Sequence, residues 1–384
     1  MKELIISIYL LGFKILFTLF KIFPLKNKVT FLISFPDNSM YVYEELKRQN
    51  ICIQTVFLCN YRCFEAFKKT CEFTYLIESK NLFHTLVGIY HLATSKQVIV
   101  DNYYGFLAVS KFKKGVKCTQ IWHSVGAIKQ FGAKDPSNVN RRCVAIKRFK
   151  AVYGRFNHIV VGSDFMSEIF KEAFLASNEV FLKIGIPRTD FFFEFDKQAV
   201  IKSHFYNSNP ILKEKQVILY APTFRKGEGG LVTDIALDIS MLYVALKDEY
   251  VLIIKFHPAV KLKLDFIDKY SDFVFDYSEY SNVNELLVIT DVLITDYSSI
   301  PMEFAFFRRK MMFFAYDLED YKKNNGFWED FESSIPGPIV YHTNEMIDVI
   351  LNQEIDTKRI EAYVKKWAEY CEGNSSEKLV NILF

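Results

Sequence analysis

The sequence predicts an α/β protein built from two doubly wound, Rossmann-like domains facing a cleft. Short apolar runs rich in β-branched residues alternate with amphipathic helical segments along most of the chain, the βαβ rhythm of parallel sheets. A length of 384 residues is enough for two such domains with substantial cores. Polar side chains suited to chemistry recur where the apolar runs end, the ligand-binding edge of an open α/β sheet.

Residues 1–27, MKELIISIYLLGFKILFTLFKIFPLKN, place Glu3, Ser7, Lys14, Thr18 and Lys21 on one helical stripe of an otherwise apolar cylinder. That pattern predicts an amphipathic helix lying in the headgroup region of a membrane, with Lys26 and Lys28 adding attraction for anionic lipid. A spanning helix is an alternative by length, although Lys14 would then sit near mid-bilayer at a cost of about 3 kcal/mol. A buried domain helix is the other alternative. No small-residue cleavage site follows, which argues against a signal peptide.

From Val29, VTFLISF reads as a buried strand, MYVYEELKRQ as a helix, and ICIQTVFL and KQVIVDNYY as further strands. After the basic loop from Lys111 to Lys117, a short strand in CTQIWHSVGAIKQFG delivers Trp122 and His123 into a turn at Ser124, Val125 and Gly126. The next stretch carries Arg141, Arg142, Lys147, Arg148, Lys150 and Arg155, either a solvated helix surface or a contact for lipid phosphates. HIVVGS, DFMSEIFKEAF and VFLKIGIPRTDFF follow as strand, capped helix and strand. The polar segment 196–215, with its NSNP breaker, places the junction between a first domain, 28–200, and a second, 201–384. The second domain repeats the rhythm through QVILYAPTFR, VLIIKFHPAV, DFVFDYS, residues 286–304 and KMMFFAYD. It ends in an amphipathic helix, KRIEAYVKKWAEYC, suited to packing back across the two domains.

Hydrophobic residues at 50% and charged residues at 24% exclude extensive disorder. A net charge of +3 and a pI near 8.3 give no nucleic-acid footprint. Seven cysteines without framework spacing suit reduced thiols. Cys59, Cys63 and Cys71 match no zinc pattern and read as buried structural residues, so no metal is expected.

The stretch LLVITDVLITDYSSIPMEF, residues 286–304, reads as one buried strand from Leu286 to Ile294, then a helix start at Asp296, Tyr297, Ser298 and Ser299. Pro301 is tolerated in the first turn. Unpaired N–H groups at such a corner suit a phosphate, and an ordinary Ser-capped corner is the plainer alternative. Three more groups sit after apolar strands: His123, Arg225 and His257. A guanidinium takes phosphate oxygens bidentately, and an imidazole accepts a hydroxyl proton near neutral pH. P-loop, GxSxG, HExxH and dinucleotide fingerprints are absent. The pattern favours metal-free phosphoryl chemistry without a cofactor.

Several blocks carry a family resemblance. WHSVGAIKQFG, ILYAPTFR, KFHP, TDVLITDYSSIPMEF and FFAYDLEDYKKNNGFWEDFESSIPGPIV resemble, in order, the CDP-glycerol glycerophosphotransferases of teichoic acid synthesis. The resemblance implies a GT-B-like fold, attachment to the cytoplasmic face of the cell membrane, and transfer of glycerol phosphate from CDP-glycerol with loss of CMP. It puts the general base on His123 in an acceptor-side first domain. It puts His257, Arg225, Ser298 and Ser299 around the donor pyrophosphate, and Glu303 beside the donor ribose, in a CDP-glycerol-binding second domain. Polymerases of the family usually read Trp-His-Gly-Thr-Pro, whereas this chain has Trp122-His123-Ser124-Val125-Gly126. With VDNYYG ahead of that block, the chain is most similar to the primase branch. That branch adds the first glycerol phosphate to an undecaprenyl-diphosphate-linked N-acetylmannosaminyl-N-acetylglucosamine. A polymerase or capsule-type transferase, or a nucleotide-sugar glycosyltransferase, are the alternative readings.

Overall fold

The computed structural model describes residues 2–223, 225, 235–256 and 266–384. His257, the second histidine expected at the donor, lies outside the described residues. Thirteen strands among them form two sheets in which every neighbouring pair is parallel. The first sheet contains β1 (Lys26–Ile33), β2 (Gln54–Cys59), β3 (Thr74–Leu76), β4 (Ser95–Val100), β5 (Lys117–Gln120), β6 (His158–Val161) and β7 (Phe181–Lys183). The second contains β8 (Gln216–Tyr220), β9 (Tyr250–Ile254), β10 (Val274–Asp276), β11 (Val292–Thr295), β12 (Lys310–Phe314) and β13 (Ile339–Val340). The orders are β3-β2-β1-β4-β5-β6-β7 and β10-β9-β8-β11-β12-β13. Both follow the same winding, and in both the order reverses between the first strand and the fourth, where such sheets bind ligands.

The chain divides into two compact units, one of Met1–Val125, Gln130–Phe191 and Ala368–Phe384, the other of Gly126–Lys129 and Phe192–Trp367. The first unit reclaims the end of the chain: Asp190 accepts the N–H groups of Ser375 and Ser376, both at 2.8 Å, and caps the helix Ser375–Leu383. The apolar run read as one strand from Leu286 to Ile294 is split. Val283–Ile289 is a helix, and the strand begins only at Val292. All of Leu286 to Ile289 is buried, so the segment shows no amphipathic period by which a helix differs from a buried strand. The helices Tyr61–Thr70 and Leu82–Thr94 and the strand β3 between them had no sequence counterpart.

The first helix, Lys2–Phe20, packs on the first unit along one edge. Phe13 and Phe17 are buried, with Phe13 stacked on Phe106 at 4.7 Å, and Glu3 pairs with Arg148. Its outward face is also apolar: Leu4, Ile8, Leu11, Ile15 and Leu19 are all exposed. The basic run of 141–155 is divided in use. Arg148 holds Glu3, Arg155 donates to the carbonyls of Leu107 and Ala108, and Arg141, Arg142, Lys147 and Lys150 are exposed.

Lys28 is fully buried in β1, with Nζ 3.0 Å from His91 Nδ1 and 2.7 Å from Thr94 Oγ1. Burial pushes its pKa down to about 7, and an unfolded lysine stays protonated to about 10.4. Between those limits the unfolded chain binds more protons, so stability rises with pH. Urea midpoints at pH 7 and pH 9 should show that rise in the wild type and a flatter response in Lys28→Met. An unchanged slope in the variant would assign the dependence to another group.

Candidate functional site

In the first unit the switch point is organised by Asp101, the residue directly after β4. Its buried carboxylate accepts the N–H of Ser34 at 2.8 Å, the N–H of Phe35 at 2.7 Å and the hydroxyl of Tyr104 at 2.8 Å. Burial pushes its pKa up to about 7, and these donors oppose that rise by favouring the charged form.

His123 stands three residues beyond β5. Its Nδ1 lies 3.0 Å from the carbonyl oxygen of Asp101. A carbonyl only accepts, so Nδ1 carries the proton and the lone pair is on Nε2. Phe35 stacks on the ring at 4.4 Å and Trp122 packs at 4.1 Å. Burial lowers the His123 pKa to about 4, which the Asp101 carbonyl opposes and the Arg188 charge assists. The imidazole is neutral at physiological pH.

The backbone leading to His123 is held in an uncommon conformation, with Trp122 at φ +56. Three side chains fix it through four hydrogen bonds: Trp122 N–H donates to Gln120 Oε1 at 2.9 Å, Asn38 Nδ2 donates to the carbonyls of Ile121 at 3.1 Å and Trp122 at 2.9 Å, and Arg188 Nη1 donates to the carbonyl of His123 at 3.0 Å. The Trp122 ring packs into Phe131, Phe170 and Phe174. Strain of about 1–3 kcal/mol persists only where surroundings over-determine it, as they do here. Asn38, Asp101 and Arg188 escaped the sequence analysis, and the usable signal was an Asp placed immediately after a buried strand.

The second unit repeats this device. Asp296 directly follows β11 and accepts both the N–H and the hydroxyl of Thr223, in the loop after β8. Arg225 Nη2 lies 2.8 Å from Asp296 Oδ2, and Arg225 also pairs with Asp317, from Nε at 2.7 Å and Nη2 at 3.1 Å. Its Nη1 donates to the Thr223 carbonyl and hydroxyl at 3.0 and 2.8 Å. The rings of Tyr297 and Tyr321 lie 4.9 Å from the guanidinium. Burial works against the Arg225 charge and the two carboxylates more than reverse it, raising its pKa above the ordinary value. A guanidinium has five N–H groups, and all are engaged within the unit. The bidentate phosphate contact expected of Arg225 is therefore not on offer in this arrangement.

Ser298 and Ser299 follow Asp296 as expected. Ser298 Oγ accepts the N–H of Ile300 at 3.2 Å, and Ser299 occupies the N-cap of the helix Ile300–Phe304 without a side-chain cap bond. The backbone N–H groups of both serines and the Ser299 hydroxyl have no hydrogen-bond partner among the described residues. The helix is only five residues long, so these local donors outweigh any macrodipole. Glu303 lies on it and is 2% exposed, beneath the surface that a ligand would reach first.

Gly126–Lys129 belongs to this second unit. Trp328 N–H donates to the Ile128 carbonyl at 3.2 Å, and Lys129 bridges to Phe327. A Cβ on Gly126 would lie 2.3 Å from the Trp367 ring and 2.8 Å from Met302 Sδ. The glycine of the Trp-His block is thus a close-approach position against the helix that follows the serines.

The sequence profile described as CDP-Glycerol:Poly(glycerophosphate) glycerophosphotransferase matches residues 15–384. The chain belongs to this family. It is 35% identical to the teichoic acid glycerol-phosphate primase of Bacillus subtilis, covering 93% of this chain and 92% of the primase. Identity to the teichoic acid poly(ribitol-phosphate) polymerase of Bacillus spizizenii is 34% over 96% of this chain, which spans only 58% of that longer protein. The wall teichoic acid polymerase TagF shares the fold, with a TM-score of 0.78 and 21% identity over 99% of this chain and 95% of that one. As a family member the chain is a transferase, of the teichoic acid primase and polymerase group.

Gly126→Ala should destabilise the protein by about 1–3 kcal/mol, because the added methyl meets a ring and a sulfur in a packed site. The denaturant midpoint measures this, and an unchanged midpoint would mean that Trp367 and Met302 yield freely.

Proposed function

We propose that the protein transfers glycerol phosphate from CDP-glycerol to a lipid-linked sugar hydroxyl, as a primase of teichoic acid synthesis. The observation that carries the chemistry is the His123 tautomer. Nδ1 is committed to the Asp101 carbonyl, so Nε2 is the atom that takes the acceptor hydroxyl proton. The acceptor oxygen then bonds to the β-phosphorus of CDP-glycerol, the bond from that phosphorus to the CMP oxygen breaks, and CMP leaves with the electron pair. The open N–H groups and hydroxyl of Ser298 and Ser299, with His257, take up the charge on the departing phosphate. Glu303 serves the ribose from its buried position, and Arg225 supports the site from behind.

The primase assignment draws on similarity to two glycerol-phosphate primases, of Bacillus subtilis at 35% identity and of Bacillus spizizenii at 33%. The polymerase reading is supported by comparable identity to the poly(ribitol-phosphate) polymerase. The acceptor under the primase reading is the undecaprenyl-diphosphate-linked disaccharide. Two sheets of the same winding suit the two domains of a GT-B-like fold, one for the donor and one for the acceptor. The outward apolar face of the first helix supports peripheral attachment to the cytoplasmic side of the cell membrane.

With CDP-glycerol and a soluble-tailed disaccharide acceptor, the wild type should release CMP and stop after one addition. A ladder of products would make the chain a polymerase. His123→Ala should lower kcat by about 10²–10⁴-fold. The acid limb of the wild-type kcat/KM profile should fall near pH 4, well below the ~6.5 of a free histidine. Full activity in His123→Ala would remove the base from this scheme. Membrane attachment has its own test: Leu11→Asp with Ile15→Asp should abolish co-sedimentation with anionic vesicles while leaving the melting temperature unchanged. Equal sedimentation of that variant would place the contact elsewhere.

A further inference from the structure

Two cations lie beside the turn that follows β11, and their hydrogen-bonding states are opposite. Arg225 gives every N–H to Asp296, Asp317 and Thr223. One guanidinium and two carboxylates sum to a net charge of −1. A phosphate approaching this triad alone meets a negative group with no open donor.

Lys129 is half-buried, with its ammonium 5.1 Å from the Tyr321 ring centroid. It makes no hydrogen bond and no ion pair among the described residues. Burial lowers its pKa; Asp296 opposes that and Arg225 adds to it, so all three groups share one field. A partly desolvated cation without an acceptor is costly, and an incoming anion removes the cost. Its backbone is anchored rather than loose, through the Lys129–Phe327 bridge and the Gly126 contact with Met302. Met302 N–H in turn donates to the Ser299 carbonyl at 3.0 Å, which ties this segment to the serine turn. The Tyr321 ring beneath the ammonium also stacks on Tyr297 at 3.8 Å, the residue before Ser298, which sets the cation beside the serine turn.

We propose that Lys129, rather than Arg225, supplies the cation that meets the donor's phosphates, while Arg225 holds Asp296 and Asp317 in place. An ammonium suits this task because its three donors rotate to follow oxygens that move as a phosphate leaves. The ligand class is the pyrophosphate of a nucleoside diphosphate ester, and the assignment rests on the CDP-glycerol reading above.

The test is calorimetric titration of the wild type, Lys129→Gln, Lys129→Arg and Arg225→Gln with CDP-glycerol, inorganic pyrophosphate and cytidine. Lys129→Gln should weaken CDP-glycerol and pyrophosphate by about 10–100-fold, the loss of a charged hydrogen bond. It should leave cytidine and the melting temperature unchanged. Lys129→Arg should recover most of the affinity. Arg225→Gln should lower the melting temperature and weaken all three ligands together. Pyrophosphate binding within twofold of wild type in Lys129→Gln overturns the proposal, as does an equal loss of cytidine. A wild type that binds pyrophosphate in a Lys129-dependent way but ignores CDP-glycerol would overturn the donor assignment and leave the role of Lys129 standing.

Discussion

A carboxylate set directly after the fourth strand of each sheet holds both switch points together. Asp101 receives two N–H groups from the loop after β1, and Asp296 receives an N–H and a hydroxyl from the loop after β8. The first and fourth strands leave their sheets in opposite winding directions, so the gap between their loops is intrinsic to the topology. A buried carboxylate that accepts from the opposite loop closes that gap. Tyr104 adds a further donor to Asp101 and Arg225 pairs with Asp296, so neither buried carboxylate is stranded, which would cost several kcal/mol. His123 and Arg225 take their positions from this clamp, one through the Asp101 carbonyl and the other through the Asp296 carboxylate.

The two units use the shared frame to opposite electrostatic ends. In the first, burial between Phe35 and Trp122 strips the charge from His123 and leaves a neutral imidazole. In the second, charges are kept, with Arg225 between two carboxylates and against tyrosine faces. The third residue after the fifth strand marks the divergence, His123 after β5 and Asp317 after β12. One position thus carries a neutral imidazole in one unit and a carboxylate that holds an arginine in the other.

Much of the architecture was legible because strands buried on both faces announce themselves as apolar runs, and β1, β2, β4, β6, β8, β9 and β12 all overlap such runs. The helix Val283–Ile289 was not, since its last four residues are all buried and so lose the period that distinguishes a helix from a strand. Ser298, Ser299 and His123 were visible as polar residues at strand ends. Asn38 and Arg188 were not, because they act on the His123 loop across 84 and 65 residues of sequence. The repeat of the clamp was half hidden: both units set an Asp directly after the fourth strand, but the donors it receives come from different residues in each.

Residue chemistry and local period, readable from the sequence alone, determined that this is a two-sheet α/β chain with an amphipathic leading segment and polar groups at its strand ends. Family resemblance in the ordered blocks added a transferase. The tertiary structure alone decided what those polar groups are free to do. Arg225 read as a phosphate ligand and is saturated by its own neighbours, whereas Lys129 read as one residue of a loop and its ammonium has no acceptor among the described residues. Sequence names the donors and acceptors; which of them already hold one another depends on contacts between distant strands, and only folding makes those.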